Sequence, residues 1–191
     1  MTKHTIVALV QDKPGVLNHM ASLFRRRGFN IESIAVGHSE VPHLSRMTLV
    51  VDGATTMVEQ VRKQLDKVVD VVKVSDITGD KVIARELALI KVKATSSTRS
   101  EIMQIVDIFR ANIVDVAADS VTVEVTGDED KIDSLYNLLR AFGIKELART
   151  GRIALTRGGS SPLPVAKNRL RLKGRKHPSK QKESNYGEDI L

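Results

Sequence analysis

The residues best placed to do chemistry lie in one short run, Gln11-Asp12-Lys13-Pro14-Gly15-Val16-Leu17, between an apolar stretch and a helical one. Pro14 suits the first turn of a helix, because the N–H it lacks has no helical acceptor there. The N–H groups of Gly15, Val16 and Leu17 then fall among the unpaired donors of that turn, at the positive end of the helix dipole. Such a cluster of donors receives a carboxylate. Gly15 has no Cβ and lets a ligand approach the backbone, while Asp12 can answer an ammonium group. An α-amino acid carries both charges on one carbon. Asn30, entering the second strand, adds an amide that both donates and accepts, and is read as facing the same end of the sheet. The plainer alternative is that Asp12, Pro14 and Gly15 only shape a helix-start turn.

Other reactive constellations are missing from the sequence. The chain has no cysteine, which removes disulfides, thiolate nucleophiles and Cys-ligated metals. Its histidines, at 4, 19, 38, 43 and 177, form no HExxH pattern, and His38 and His43 flank a predicted turn as solvated residues. Ser96-Ser97 and Ser160-Ser161 sit in no GxSxG elbow, and no GxxxxGK[ST] phosphate loop occurs. Neither a catalytic residue, a metal site nor a bound cofactor is therefore expected in this chain.

The elements that must carry the Asp12–Leu17 loop follow from periodicity. Thr5–Val10 is an apolar strand, and Val16, Leu17, Met20, Leu23 and Phe24 recur at helical spacing, so that a helix is predicted from about Pro14 to Arg27 with Gly28 as its stop. Arg25, Arg26 and Arg27 complement the negative end of its dipole. Ile31–Val36 and Ser45–Val51 read as strands, and Thr56 with Glu59 reads as a capping box opening the helix of Val58, Val61, Leu65 and Val68. Val71–Ile77 closes the unit. The order βαββαβ then recurs: strand Glu86–Ala94, capping box Thr98 and Glu101, helix through Ile102, Ile105, Val106 and Phe109, strands Ile113–Val116 and Val121–Val125, helix through Ile132, Leu135, Leu138 and Phe142, and one last extended stretch, Ile144–Leu155.

Phe24-Arg25 leads into Asn30-Ile31 much as Phe109-Arg110 leads into Asn112-Ile113, which supports a repeat. The expected architecture is α+β, two tandem ferredoxin-like βαββαβ domains, 1–79 and 80–158, followed by a basic, disordered tail over 159–191. Two helices cover one face of each four-stranded sheet, and the other face needs water or a partner.

Charge and composition narrow the partners. Of the 191 residues 30 are Lys or Arg and 23 Asp or Glu, a net +7, and nearly all of the surplus falls after Thr156. The body is almost neutral, so the basic character belongs to the tail. Two Tyr, four Phe and no Trp leave no aromatic-rich strand on which RNA bases could stack. An RNA-binding pair of ferredoxin-like domains with a basic arm is the rival reading. Apolar runs are strand-sized, far short of the roughly 20 residues of a membrane helix, and the amino terminus shows no secretory pattern, so a cytoplasmic location is expected.

The segments TIVALVQDKPGVLNHMASLFRRRGFNIESIAVGHSE, LSRMTLVV, QLDKVVDVVKVSDIT, RELALIKV and GIKELARTGRIALTRG, in this order, closely resemble the small, regulatory subunits of acetolactate synthase (acetohydroxyacid synthase). The resemblance implies an amino-terminal ACT domain that binds valine or another branched-chain amino acid, with Asp12, Pro14, Gly15, Val16, Leu17, Asn30 and Ile31 in the effector site. It also implies a homodimer paired through ACT domains, with effector sites where they meet. The implied protein partner is a catalytic subunit carrying thiamine diphosphate, magnesium and FAD, which the small subunit stimulates and makes sensitive to feedback. Relatives often carry Asn at the position of Asp12 and Ser at that of Pro14.

Overall fold

The computed structural model describes residues 3–159 and 161–163; the basic stretch from 164 onward, expected to be disordered, lies outside them. The first unit consists of β1 (Lys3–Gln11), α1 (Val16–Arg27), β2 (Ile31–His38), β3 (Leu44–Asp52), α2 (Thr55–Leu65) and β4 (Val71–Asp76). Its strands form an antiparallel sheet of order β2-β3-β1-β4. The second contains β5 (Val82–Lys93), α3 (Arg99–Ile108), β6 (Asn112–Val116), β7 (Ser120–Gly127), α4 (Glu129–Arg140) and β8 (Ile144–Arg149), with the matching order β6-β7-β5-β8. Both are ferredoxin-like βαββαβ units, as the two periodicities required.

Burial follows the pattern of each strand. On β1, Ile6, Ala8 and Val10 pack with Val16, Met20 and Phe24 of α1 and with Val58, Val61 and Leu65 of α2. Val7 and Leu9, on its opposite face, are equally buried, which is why TIVALV is continuously apolar rather than alternating. On β5, Ala88, Ile90 and Val92 are buried while Leu89 and Lys93 are exposed, the alternation of a strand with one solvent face.

The expectation that each sheet keeps an open face holds only for the second. The outer face of the first is covered by the start of β5, paired antiparallel with β9 (Ile153–Thr156). Val7, Leu9, Leu44, Val72, Ile77, Ala154 and Leu163 form a shared cluster there. Leu163 is 4% exposed, so part of the stretch assigned to the tail is core. The single extended segment predicted over Ile144–Leu155 is two strands, β8 and β9, broken where Gly151 adopts φ +81°.

Helix ends differ from expectation in informative ways. Helix α1 starts at Val16 rather than Pro14, with Gly15 at its N-cap in the left-handed region, φ 90°. Thr56 lies inside α2, whose N-cap is Ala54 without a side-chain cap bond, and Glu59 instead pairs with Lys63 at 3.0 Å. Thr98 is the N-cap of α3 but bonds backwards: its Oγ1 accepts from Thr95 N–H at 3.0 Å, while Thr95 Oγ1 accepts from Thr98 N–H at 3.3 Å. That is a reciprocal box one turn earlier than expected.

The helix stops fix the true alignment of the repeats. Phe29 N–H donates to Phe24 C=O and Gly28 N–H to Arg25 C=O, while Ala111 N–H donates to Val106 C=O and Arg110 N–H to Asp107 C=O. These are two Schellman ends with the left-handed residue at Gly28 and Arg110. Phe24 therefore corresponds to Val106, not to Phe109 as the local sequence suggested.

Candidate functional site

The β1–α1 loop borders a cavity of about 190 Å³ lined by Val10 to Leu17 and by Val36, Ser45 and Met47. The cavity is smaller than the roughly 300 Å³ at which small-molecule pockets usually begin. Of the residues that line it, Leu17 of α1 and Val36 of the edge strand β2 expose apolar side chains. Among the described residues no acceptor meets the N–H groups of Gly15, Val16 or Leu17, and α1 has no side-chain cap. Open donors, a helix N-terminus and two apolar side chains thus converge on one small space.

Neighbouring turns hold this loop on both sides. From the β2–β3 turn, His43 C=O accepts the Asp12 N–H at 2.9 Å, and His43 itself takes φ 63° to reach it. His38 Nδ1 lies 3.2 Å from Asp12 Oδ2, so the two turn histidines both engage Asp12, His38 remaining largely solvated. From the α2–β4 turn, Asp70 C=O accepts Gln11 N–H at 2.8 Å. The Asp70 carboxylate meets Lys13 Nζ at 2.6 Å and His19 Nδ1 at 2.7 Å. Hydrogen bonding from Lys13, opposed by burial and aided by His19, holds the Asp70 carboxyl below the usual carboxylate range.

Asp12, Pro14, Gly15, Val16 and Leu17 are brought together as the sequence indicated; Asn30 and Ile31 are not. Ile31 pairs with Val51, next to the Lys3–Asp52 end of the sheet, whereas the loop leaves β1 at Gln11, opposite Leu44. Helix α1 carries the chain back along the sheet, so β2 begins at the far end and only finishes, at His38, beside the loop. The expectation that Asn30 faces the same end is therefore corrected for a single chain. Val36, Ser45, Met47, His38 and Asp70 escaped sequence reasoning. Only the exposure-prone apolar Val36 on an edge strand carried a local signal.

A larger cavity, about 360 Å³, lies between the units and is lined by Lys3, Glu32, Glu86, Glu129, Arg149 and Arg152 among others. Its charges are already matched: Lys3 with Glu32 and Glu129, Arg149 with Glu86 and Asp133, Arg152 with Glu129. It offers a ligand no uncompensated charge. Among the described residues no group of three His, Asp or Glu could hold a metal, and no helix is long and apolar enough to cross a membrane.

Residues 6–73 match the family model described as AHAS small subunit-like ACT domain, and residues 85–158 match that of the small subunit of acetolactate synthase. The chain is 58% identical over 156 residues to an Archaeoglobus fulgidus protein named "Probable acetolactate synthase small subunit", covering 82% of this chain and 98% of that one. It is 49% identical over 155 residues to the acetolactate synthase small subunit of Mycobacterium bovis, covering 81% and 92%. This chain belongs to the acetolactate synthase small-subunit family. The crystal structure of the Thermotoga maritima acetolactate synthase small subunit superposes with TM-score 0.77 at 42% identity, over 84% of this chain and 100% of that one. The chain is thus a small subunit of the acetolactate synthase family with an ACT domain, which supports a regulatory role and implies a catalytic subunit as its partner. None of these likenesses supports the RNA-binding alternative.

Proposed function

We propose that this small subunit binds valine or a related branched-chain amino acid at the β1–α1 loop, and so stimulates its catalytic subunit and confers feedback inhibition. The observation that carries the reading is the set of unpaired N–H groups of Gly15, Val16 and Leu17 beside the Asp12 carboxylate. The donors receive the ligand carboxylate at the positive helix end, and Asp12 receives the ammonium. Leu17 and Val36 offer apolar surface to the branched side chain.

Asn30 and Ile31 join the site from a second copy. Among the described residues β2 pairs only with β3, and it helps line an apolar groove of about 420 Å³ together with Ile83, Ile153 and Leu155. Unpaired edges invite pairing. If two β2 strands meet antiparallel about an axis between Ile34 and Ala35, Ile31 of each copy falls opposite His38 of the other. Asn30 then reaches the neighbour's loop, and two sites close at the dimer boundary. The domain division near residue 80 belongs to the same reading, as do a cytoplasmic location and a catalytic subunit that carries thiamine diphosphate, magnesium and FAD.

Regulation requires only that the effector bind one arrangement of the complex better than another, a difference of about 1–3 kcal/mol. Calorimetric titration of valine, leucine and isoleucine into the subunit, alone and with its catalytic partner, tests the reading. Saturable binding of at least one with a parallel fall in activity is expected. Absence of binding by all three rejects it.

A further inference from the structure

We infer that Asp70, on the α2–β4 turn, is a positioning residue that holds the effector loop in its binding-ready form; this rests on the amino-acid reading of that loop. Asp70 is the only buried acidic residue among those described, 3% exposed. A buried carboxylate is costly unless it is paired and hydrogen-bonded. Both partners of this one come from the effector segment: Lys13 within the loop and His19 at the end of the first turn of α1. Its backbone C=O adds a third tie, to Gln11 at the end of β1.

One residue therefore grips the loop before, within and after the turn that aims the free N–H groups. Gly15 at φ 90° and Pro14 shape that turn, and among the described residues no other side chain bonds it from this side. His38 and His43 act only on Asp12, from the opposite side. Without the Asp70 carboxylate, Lys13 and His19 lose their shared anchor, and the donors must be ordered by the ligand itself. Ordering on binding weakens affinity. Asp70 touches no ligand in this scheme, since it does not line the cavity.

The test uses the full-length subunit and the variants D70N, K13M, K13R and the double variant D70N/K13M. Hydrogen exchange at the bonded loop amides of Gln11, Asp12 and His19 is followed without ligand, and the valine Kd is measured by calorimetry. D70N is expected to speed exchange in the loop while the remaining β1 and β3 amides stay protected. It should also weaken valine about ten-fold, the scale for losing one partner of a charge-assisted hydrogen bond. K13M should act likewise, the double variant should be no worse than the worse single, and K13R should restore binding. Unchanged loop exchange in D70N, or fully additive losses in the double variant, overturns the inference; if D70N fails to fold, K13M and K13R decide by the same readouts. Should the wild-type subunit bind no branched-chain amino acid, the proposed function fails, and the exchange data still judge Asp70.

Discussion

The Nζ of Lys3, at the start of β1, lies 2.6 Å from Oε1 of Glu129, the first residue of α4, across a separation of 126 residues. Arg152, ahead of β9, bonds the other oxygen of the same carboxylate. Arg152 N–H also donates to Ser33 Oγ at 2.9 Å on β2. Glu129 thus ties the second unit to the ACT unit through Lys3, and holds Arg152, whose N–H makes a second tie at Ser33.

Removing that acid leaves the two cations facing each other. Hydrogen bonding from Lys3, against a smaller opposing effect of burial, lowers the Glu129 pKa from 4.5, and the same bond to Glu129 raises that of Lys3 from 10.5. The Glu129 contribution is accordingly present above about 4.5 and lost as pH falls through its lowered folded value; that of Lys3 is complete below about 10.5 and lost as pH rises through its raised one. Glu129→Gln should cost about 1 kcal/mol at neutral pH, less in high salt. Thermal unfolding against pH and salt checks this: equal stability of the two proteins at neutral pH and low salt contradicts it.

Gly151→Ala should be more damaging than its size suggests. A Cβ there would stand 2.6 Å from Ser33 Oγ and 3.2 Å from Ile34 C=O, at φ +81°. Both backbone strain and displacement of the β8–β9 connection from β2 follow, a loss of about 2 kcal/mol or more. Urea unfolding of the variant measures it.

Arg110→Gly should stabilise the protein. Arg110 is exposed and sits at φ 49° in the Schellman end of α3, where its counterpart in the first unit is Gly28. Relief of the left-handed strain, less the added freedom of the unfolded chain, leaves about 0.5 kcal/mol, visible as a small rise in Tm.

Two substitutions at one position separate strain from charge at the effector loop. A Cβ on Gly15 meets nothing within 4 Å, so Gly15→Ala pays only for φ 90°, about 1 kcal/mol of stability. Gly15→Asp pays similarly but places a carboxylate where the ligand carboxylate is received, and should weaken valine binding by at least about ten-fold more than Ala does. Equal binding by the two variants, measured by calorimetry, refutes the assigned orientation of the ligand.

Ile34→Lys tests the edge pairing. Ile34 is half exposed near the middle of β2, and lysine on an edge strand blocks strand addition. Sedimentation should show a shift from dimer to monomer, with valine affinity lost alongside because Asn30 can no longer be supplied by a neighbour.

Much of this molecule was legible in the order of its side chains. Val16, Met20 and Phe24 at helical spacing, the alternation of Ala88, Ile90 and Val92 with Leu89 and Lys91, and the βαββαβ recurrence are local patterns that only one arrangement can bury. The Asp12–Leu17 loop was legible for the same reason, since unpaired donors at a helix start are a consequence of backbone geometry. Asn30 was misplaced because its end of the sheet depends on how far α1 carries the chain before β2 turns back. The true match of Phe24 to Val106 was hidden because the αL position of the helix stop is occupied by glycine in one unit and arginine in the other.

By itself, then, the sequence determined the secondary elements, their repeat, the β1–α1 loop with its unpaired donors, and the family. Only the tertiary structure decided that β5 and β9 cover the outer face of the first sheet, that Leu163 belongs to the core, and that Asp70 anchors Lys13 and His19. Local patterns set which face of an element is apolar. Which distant surface buries that face, and which distant charge is drawn in beside it, is settled only when both come into contact in the folded chain.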